Sequence, residues 1–190
     1  MQQALQSDVI LRPEKPGDVT AIQAVIESAF REHPHSRQTE AKVVERLRGE
    51  GAMSLSLVAQ QPDGVVGHLA CSPVEISGGA PGWHSIGPLA VDPGFQGAGV
   101  GTALVWHALR TLRHLGAAGC VALGEPAYFG RFGFRSTPAM RLPGAPHGCF
   151  LVRPFERLTP LGVVSLHPAF ELIEPGDWTC LLYTSDAADE

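Results

Sequence analysis

Residues 86–105 read IGPLAVDPGFQGAGVGTALV, and they carry most of what the sequence says about the fold. The apolar run that ends at Val91 is typical of a buried strand, and the glycines from Gly97 to Gly101 indicate a turn. The amphipathic pattern after Gly101 predicts a helix. Glycine lets the main chain approach a ligand closely, and the first turn of a helix presents N–H groups without intrahelical partners. This order of elements therefore predicts a site for an anion, with pyrophosphate as the natural guest.

The periodicity on both sides of this stretch predicts alternating helices and strands. Asp18 is expected to cap the first helix, whose apolar stripe extends to Phe30. The predicted elements are a strand at 9–12, a helix behind Asp18, a helix at 39–48, a hairpin with arms at 53–57 and 65–76, a strand at 83–91, a helix at 101–115, a strand at 120–123 and a short helix at 127–132.

The composition is that of one ordinary globular domain. The chain has 190 residues, of which 44% are hydrophobic and 17% are charged, and its formal net charge is -5. Without a basic tract, no nucleic-acid partner is expected. The four cysteines form no CxxC pair, the N-terminus lacks the features of a secretory signal, and no window is long and apolar enough to span a membrane. These observations predict a cytoplasmic protein without a membrane partner.

The last eleven residues, CLLYTSDAADE (180–190), do not follow the pattern of the preceding chain. They come after a Pro-Gly-Asp break and have no hydrophobic periodicity. Two interpretations stay open, a disordered or non-native extension and an ordinary frayed terminus. In both, the domain is expected to end before this segment.

Two common phosphate-binding motifs do not match the glycine turn. A P-loop requires a lysine and a serine or threonine after its last glycine, whereas Gly101 is followed directly by Thr102. A dinucleotide-binding fold has its glycines after the first strand of a βαβ unit, with an acidic residue about 20 positions later. Here the turn follows an apparent antiparallel meander in the middle of the chain, and the next acidic residue, Glu125, ends the following strand.

The Gln96–Gly101 pattern after Leu89–Val91 resembles the coenzyme A-binding motif of the GNAT superfamily of N-acetyltransferases. The segment GAAGCVALGEPAYFGRFGF (116–134) and Leu166–Phe170 are most similar to its YhbS-like branch. The resemblance covers residues 8–172 and implies a single N-acetyltransferase domain of mixed α/β class. Its expected sheet is twisted and mostly antiparallel, with helices on both faces and a splay between the two central strands.

The resemblance also implies a coenzyme site with acetyl-coenzyme A as acyl donor. The backbone of Leu89, Ala90 and Val91 would pair with the pantetheine arm inside the splay. The pyrophosphate would be held by the Thr102 hydroxyl and by backbone N–H groups of Gln96, Gly97, Ala98, Gly99, Val100 and Gly101.

Acetyl transfer to an amine requires a base for the ammonium and a proton for the departing thiolate. The resemblance assigns the second role to Tyr128, because many family members have a tyrosine close to the coenzyme sulfur. Glu125, at the end of a strand beside the expected splay, is the candidate base, and His84 is a second one. Packing of Tyr128 against neighbouring phenylalanines, and a solvated carboxylate at Glu125, are the alternative interpretations.

The predicted function is transfer of acetyl from acetyl-coenzyme A to a primary amine of a small molecule or protein, by direct attack in a ternary complex. The alternative is a non-catalytic acyl-coenzyme A sensor, which would keep the glycine turn but make Tyr128 and Glu125 dispensable. No metal site is expected, because His33 and His35 lack a third ligand at useful spacing. The protein is expected to be a monomer or a homodimer.

Overall fold

The computed structural model describes residues 9–33, 36–146 and 148–173, together with the backbone of residues 182–183. The helices are α1 (Val19–Phe30), α2 (Glu40–Gly49), α3 (Val100–His114) and α4 (Pro126–Gly130). The strands are β1 (Ile10–Pro13), β2 (Leu55–Gln61), β3 (Gly64–Pro73), β4 (Glu75–Ile76), β5 (Trp83–Val91), β6 (Gly119–Leu123), β7 (Met140–Arg141), β8 (Phe150–Pro154), β9 (Gly162–Ser165) and β10 (Leu182–Tyr183). The element types predicted from the sequence are therefore correct, and most ends lie within a few residues.

The main sheet has the strand order β1-β2-β3-β5-β6-β8, with β10 beside β5. Along this order the neighbours are antiparallel except for β5 and β6, which are parallel. A parallel pair needs a crossover connection, which α3 supplies between β5 and β6. The predicted mixed, mostly antiparallel sheet is confirmed.

Helices cover both faces of this sheet. Leu69 on β3 lies in a buried cluster with Leu104 of α3, whereas the next residue, Ala70, lies in a cluster with Ile26 of α1. Successive side chains of a strand point to opposite faces, so α3 and α1 pack on opposite sides. α2 joins the α1 side through Val44.

The second arm of the predicted hairpin, 65–76, is two strands in the structure rather than one. β3 ends at Pro73, and β4 leaves the main sheet to pair antiparallel with β9. Proline has no N–H to give to a ladder, which suits a strand end. β9 also pairs with β7, so that a small second sheet of order β4-β9-β7 forms beside the main one.

Asp18 stands at the start of α1 as predicted, but its carboxylate does not cap that helix. Its oxygens accept hydrogen bonds from Arg12 at 2.6 and 2.9 Å, and from the backbone N–H of Lys15 at 2.7 Å. The capping prediction is wrong in its side-chain geometry, because the guanidinium of β1 competes for the carboxylate.

Gly119 leaves room for the Trp83 ring at the end where β5 and β6 are paired. It lies opposite Trp83 in the register, and a Cβ atom there would be 2.6 Å from two carbons of the indole ring and 2.8 Å from the Arg153 carbonyl oxygen. Trp83 is buried and cannot move aside without disturbing the core. We therefore expect Gly119→Ala to lower the free energy of unfolding by about 1–3 kcal/mol, the usual cost of overpacking.

Urea unfolding measures this change. Gly49→Ala, at the end of α2, is the matched control, because a Cβ there meets nothing within 4 Å. It should leave the stability unchanged or raise it slightly, since alanine favours a helix more than glycine does. Equal stability of the Gly119→Ala variant and the unaltered protein would contradict the packing argument.

A partly buried polar network lies under α2 on the α1 side of the sheet. Glu14 accepts hydrogen bonds from Arg48, at 2.6 Å, and from the Ser56 hydroxyl. The Ser56 hydroxyl lies 2.9 Å from Nε2 of His68, which is fully buried. Burial lowers the pKa of His68. Burial opposes ionisation of Glu14, but the His68 ring, whose Nε2 lies 3.8 Å from the carboxylate, and the hydrogen bonds from Arg48 and Ser56 outweigh it and lower the pKa of that carboxyl to about 2.

This network predicts that the protein loses stability in acid. In the folded chain, the pKa of His68 lies below its ordinary value of 6.5, and the pKa of Glu14 lies below its ordinary value of 4.5. Both contributions to stability are fully present above pH 6.5. As the pH is lowered, the contribution of His68 is lost first, because the histidine of the unfolded chain takes up a proton, and the contribution of Glu14 is lost between pH 4.5 and about 2. Denaturant unfolding at a series of pH values tests this, and Glu14→Gln should flatten the lower part of the curve. A stability that is constant from pH 7 to pH 3 would contradict it.

Candidate active site

The two central strands part halfway along β5. β5 and β6 are paired from Trp83–Gly119 to Ile86–Ala122, and this register goes no further. On its other edge, β5 stays paired with β3 as far as Val91, which lies opposite Gly67. The edge of Leu89–Val91 that faces β6 is therefore separated from that strand, and the predicted splay is confirmed.

Part of this edge is occupied by the short strand β10. Leu182 and Tyr183 run parallel to β5, opposite Leu89 and Ala90. Because β3 holds the other edge, an extended ligand along Leu89–Val91 and β10 cannot occupy the splay together. The other residues of the predicted 180–190 tail lie outside the described part of the chain.

The glycine turn connects the end of β5 to α3. Gly97 and Gly99 have φ angles of 73° and 78°, a left-handed conformation that strains any residue with a Cβ. Gly99 is the N-cap of α3, so the helix begins at Val100, one residue earlier than predicted. The N–H of Ala103 donates to the Gly99 carbonyl at 3.0 Å. The N–H groups that precede it at the start of α3 have no acceptor within the helix, and such donors hold phosphates.

Gln96 has a side-chain role that the sequence analysis did not foresee. Its Nε2 donates a hydrogen bond of 3.0 Å to the carbonyl oxygen of Val91. Asp92 supports the same corner, because its carboxylate accepts from the N–H of Gly94 at 2.9 Å. These bonds fix the turn to the end of β5, so that the start of α3 and the splayed edge keep a constant relative position.

Gly67 sets how closely α3 approaches the sheet. A Cβ atom at this position would lie 3.1 Å from side-chain carbons of both Val100 and Leu104. The residue lies opposite Val91 in the register, next to the end of β5. A glycine inside an apolar strand marks a close approach of another element, and that signal was available in the sequence.

α4 carries Tyr128 on the same side of the sheet as α3. Tyr128 is buried and belongs to the cluster that contains Leu89 and Val91. Its ring makes edge contacts with Phe129, at 5.2 Å between centroids, and with Phe132, at 5.3 Å. The guanidinium carbon of Arg131 lies 4.6 Å from its ring centroid. The structure thus shows the packing that the sequence suggested as an alternative for Tyr128, and this packing is compatible with a catalytic role for the hydroxyl.

Glu125 is the exposed residue that precedes α4. It follows β6 as Asp92 follows β5, and the carboxyl ends of parallel strands lie at the same edge of a sheet. Glu125 is therefore at the mouth of the splay, on the β6 side. His84, the second candidate base, is paired with Cys120 three residues before the splay begins, and its Nδ1 lies 2.7 Å from the Ser54 hydroxyl.

Arg153 ties the segment that follows α4 to α3, which the sequence did not reveal. Its guanidinium donates to the carbonyl oxygen of Phe132. The guanidinium carbon lies 5.4 Å from the ring centroid of Trp106 on α3 and 5.9 Å from that of Phe155. Since β8 carries Arg153, one side chain connects the sheet, α3 and the segment that follows Tyr128.

Comparisons with known proteins agree on one family. The model of the acetyltransferase (GNAT) family matches residues 21–134. The uncharacterized N-acetyltransferase YhbS of Escherichia coli K12 is 39% identical over 127 residues, which are 66% of this chain and 73% of that protein. The uncharacterized N-acetyltransferase YjhQ of the same organism is 36% identical over 95 residues, or 48% of this chain and 52% of that protein.

Two solved structures extend the similarity. A GNAT family acetyltransferase from Brucella melitensis, crystallised in complex with acetyl-CoA, is 40% identical with a TM-score of 0.77, covering 85% of this chain and 97% of that chain. Escherichia coli YhbS, crystallised in complex with CoA, is 34% identical with a TM-score of 0.79, covering 86% and 92%. Across the described part of this chain, no helix is long and apolar enough to cross a membrane.

Proposed function

The chain belongs to the GNAT acetyltransferase family, and we propose that it moves an acetyl group from acetyl-coenzyme A to a primary amine by direct attack in a ternary complex. The observation that carries this proposal is the splay between β5 and β6 beside the glycine turn. Together they offer an extended edge for a chain-like ligand and an anion site at its end. The relatives crystallised with acetyl-CoA and with CoA support the choice of coenzyme.

The donor site consists of two parts. Backbone N–H groups of Gln96–Gly101 and the Thr102 hydroxyl bind the pyrophosphate, with the start of α3 adding its positive dipole end. Leu89–Val91 pair with the amide groups of the pantetheine arm, as a neighbouring strand would. The arm then takes the place of β10.

The chemistry follows from the groups at the mouth of the splay. Glu125, directly or through water, removes a proton from the ammonium of the acceptor. The neutral nitrogen attacks the thioester carbon, and a backbone N–H near Leu89 stabilises the oxyanion. The C–N bond forms, the C–S bond breaks, and the Tyr128 hydroxyl donates a proton to the leaving thiolate. The attacking nitrogen then releases its second proton, which restores the Tyr128 hydroxyl.

The raised pKa values of the cysteine thiols in the described part of the chain favour direct transfer over an acyl-cysteine intermediate. Burial raises the pKa of Cys71 to about 12 and raises that of Cys120 well above its ordinary value. Cys149 also has a raised pKa, through burial and through the nearby Glu125 carboxylate. A thiol that resists ionisation is a poor nucleophile, so the amine attacks the thioester itself.

A cleft near the coenzyme site suits the acceptor. It has a volume of ≈ 300 Å³ and lies between the end of α1 and the turn that follows β5, with Glu32, His33 and Gln96 among its walls. Both the Glu32 carboxylate and the Arg31 guanidinium line this cleft, so its charge does not by itself favour an ammonium group. Its position at the end of α1 is what leads us to expect the acceptor on the α1 side of the sheet.

Thiol release from acetyl-coenzyme A, measured over a panel of small amines and lysine-containing peptides, tests the proposed function. The proposal expects turnover with at least one amine and none without an acceptor beyond slow hydrolysis. Binding of coenzyme A without turnover on any amine would favour the acyl-coenzyme A sensor instead. Protection against thermal unfolding by ATP or NAD, but not by coenzyme A, would reject both.

We also propose that the catalytic domain spans residues 8–172 and does not include residues 180–190. A chain that ends at Ile173 is expected to melt within about 4 °C of the full chain, a difference of about 1 kcal/mol at this length. It should bind coenzyme A at least as tightly, because β10 no longer competes for Leu89 and Ala90. Calorimetry on both chains measures the two quantities, and loss of cooperative unfolding in the shorter chain would contradict the proposed boundary.

A further inference from the structure

α2 crosses the splay on the face of the sheet opposite to α3. Val44 of α2 lies in a buried cluster with Ala90 of β5. The preceding residue, Val43, lies in a different cluster with Val121 and Leu123 of β6. Two neighbouring residues of one helix therefore pack toward the two strands that part from each other, and α2 covers the splay on the α1 side.

α2 runs from the mouth of the splay toward its paired end. It follows α1, whose last turn lies across a cleft from Pro93 and Gln96, beyond the end of β5. After α2 the chain enters β2 at Leu55, which lies opposite Cys71. Cys71 in turn lies opposite Ile86, in the last step at which β5 and β6 are paired. The first residue of α2, Glu40, is therefore at the mouth of the splay.

Glu40 belongs to the face of α2 that is turned to the sheet. The buried residues of this helix have the spacing of a single helical face, and they are Glu40, Val43, Val44 and Leu47. Glu40 is only 2% exposed, at a position in the stripe that would suit an apolar side chain. A carboxylate in the first turn compensates the helix dipole equally well from the solvent side. The dipole therefore explains an acidic residue here but not its burial, which has a desolvation cost.

The loop before α2 holds this carboxylate in place. The Ser36 hydroxyl lies 2.8 and 2.9 Å from the two oxygens of Glu40, and it accepts a hydrogen bond from the N–H of Gln38 at 2.9 Å. Gln38 has a φ angle of 59°, a left-handed conformation that is unfavourable for a residue with a Cβ. A carboxylate can accept about four hydrogen bonds, so the contact with Ser36 is compatible with binding of a ligand.

We propose that Glu40 binds the ammonium group of the acceptor at the mouth of the splay and makes the protein favour cationic amines over neutral ones. This inference rests on the proposed function, in which the acceptor approaches from the α1 side. An ammonium group has three N–H donors, so one can bond to Glu40 while another gives its proton to Glu125. The nitrogen that has lost this proton still has an N–H for Glu40, and it stays in place to attack the thioester. A charge-assisted hydrogen bond is strong away from water, so Glu40 contributes affinity for the acceptor.

Rates of thiol release at a series of acceptor concentrations test this role in a Glu40→Gln variant. Glutamine keeps an oxygen for the Ser36 hydroxyl but removes the charge, so the melting temperature and the Kd for coenzyme A should change little. The KM for a cationic amine should rise about 10-fold or more, as expected for loss of a hydrogen bond to a charged group, while kcat stays the same. Hydroxylamine, which is mostly uncharged at neutral pH, should keep its KM once the uncatalysed rate is subtracted.

Glu45→Gln is the matched control, because Glu45 lies on the exposed face of the same helix. It removes the same charge and should leave the KM of every acceptor unchanged. Ser36→Ala tests a purely structural role, since it removes the contact with the loop but keeps the carboxylate, and it should raise the KM for the cationic amine less than Glu40→Gln does. Glu40→Asp keeps the charge on a shorter side chain and should give an intermediate KM. It replaces Glu40→Gln if that variant does not fold.

Other results would overturn this assignment. An unchanged KM for every amine in Glu40→Gln, or equal effects of Glu40→Gln and Ser36→Ala, would leave Glu40 with a structural role only. An equal rise in KM for hydroxylamine and for cationic amines would mean that the charge of the acceptor is not recognised. A fall in kcat with KM unchanged would make Glu40 a base rather than a binding group. Absence of turnover by the unaltered protein with every amine, although coenzyme A binds, would instead reject the proposed function and this inference with it.

Discussion

A Gly99→Asp variant is expected to bind coenzyme A at least about 100-fold more weakly than the unaltered protein. Gly99 is the N-cap of α3, at the centre of the proposed pyrophosphate site. A carboxylate there would lie next to the phosphates, and two like charges about 4 Å apart near a protein surface repel by about 4 kcal/mol. Adding Gln96→Ala should weaken binding further, because it removes the hydrogen bond to the Val91 carbonyl that fixes the turn.

Isothermal titration with coenzyme A measures this loss, and melting temperatures show whether the variant is folded. Gly51→Asp is a matched control, since Gly51 also has a positive φ, 64°, and a Cβ there meets nothing within 4 Å. It introduces the same strain and the same charge away from the turn, and should keep full affinity. If Gly99→Asp with Gln96→Ala bound coenzyme A normally, the assignment of residues 96–101 would be wrong.

The parts of the fold that could be predicted from the sequence are those that depend on local signals. The strand-turn-helix of residues 86–105 has its glycines where the backbone requires positive φ, and the structure confirms Gly97 and Gly99 in that conformation. The break between β3 and β4 was missed, because it depends on pairing with β9, about 90 residues along the chain. The cap at Asp18 has a different cause, since Arg12 is close in sequence but lies on β1, and the sequence does not show that this strand turns its guanidinium to the carboxylate.

The candidate site likewise has a part that the sequence predicts and a part that it does not. The backbone site could be inferred, because glycine spacing and helix starts are visible in the sequence. The supports of that site could not, since they are contacts between distant elements. Gly67 allows α3 to pack closely on β3, and Arg153 joins β8 to Trp106 and to the Phe132 carbonyl. Only the glycine left a signal in the sequence, as an interruption of an apolar strand.

The surroundings of Tyr128 allow its hydroxyl to be tested apart from its ring. The ring packs against Phe129 and Phe132 and lies under the Arg131 guanidinium. Tyr128→Phe keeps these contacts and removes one oxygen atom, so the variant should melt close to the temperature of the unaltered protein. Phe134→Leu is a useful counterpart, because Phe134 contacts Phe129 in the same cluster, at 5.3 Å between centroids, but carries no proposed catalytic group.

Tyr128→Phe is expected to lower kcat for acetyl transfer by about 100-fold at neutral pH, the lower end of what a general acid contributes. The loss is limited because a thiolate, whose conjugate thiol has a pKa of about 8.5, is a fair leaving group even without a proton. The KM for acetyl-coenzyme A should stay the same, since the hydroxyl acts on the departing sulfur and not on the bound donor. Thiol release with the best amine of the panel gives both constants, and Phe134→Leu should show the reverse pattern of a lower melting temperature with kcat retained. A Tyr128→Phe variant with full kcat would remove Tyr128 from the mechanism and leave proton donation to water. If instead kcat fell in both variants in proportion to their melting temperatures, the whole aromatic cluster would have a packing role only.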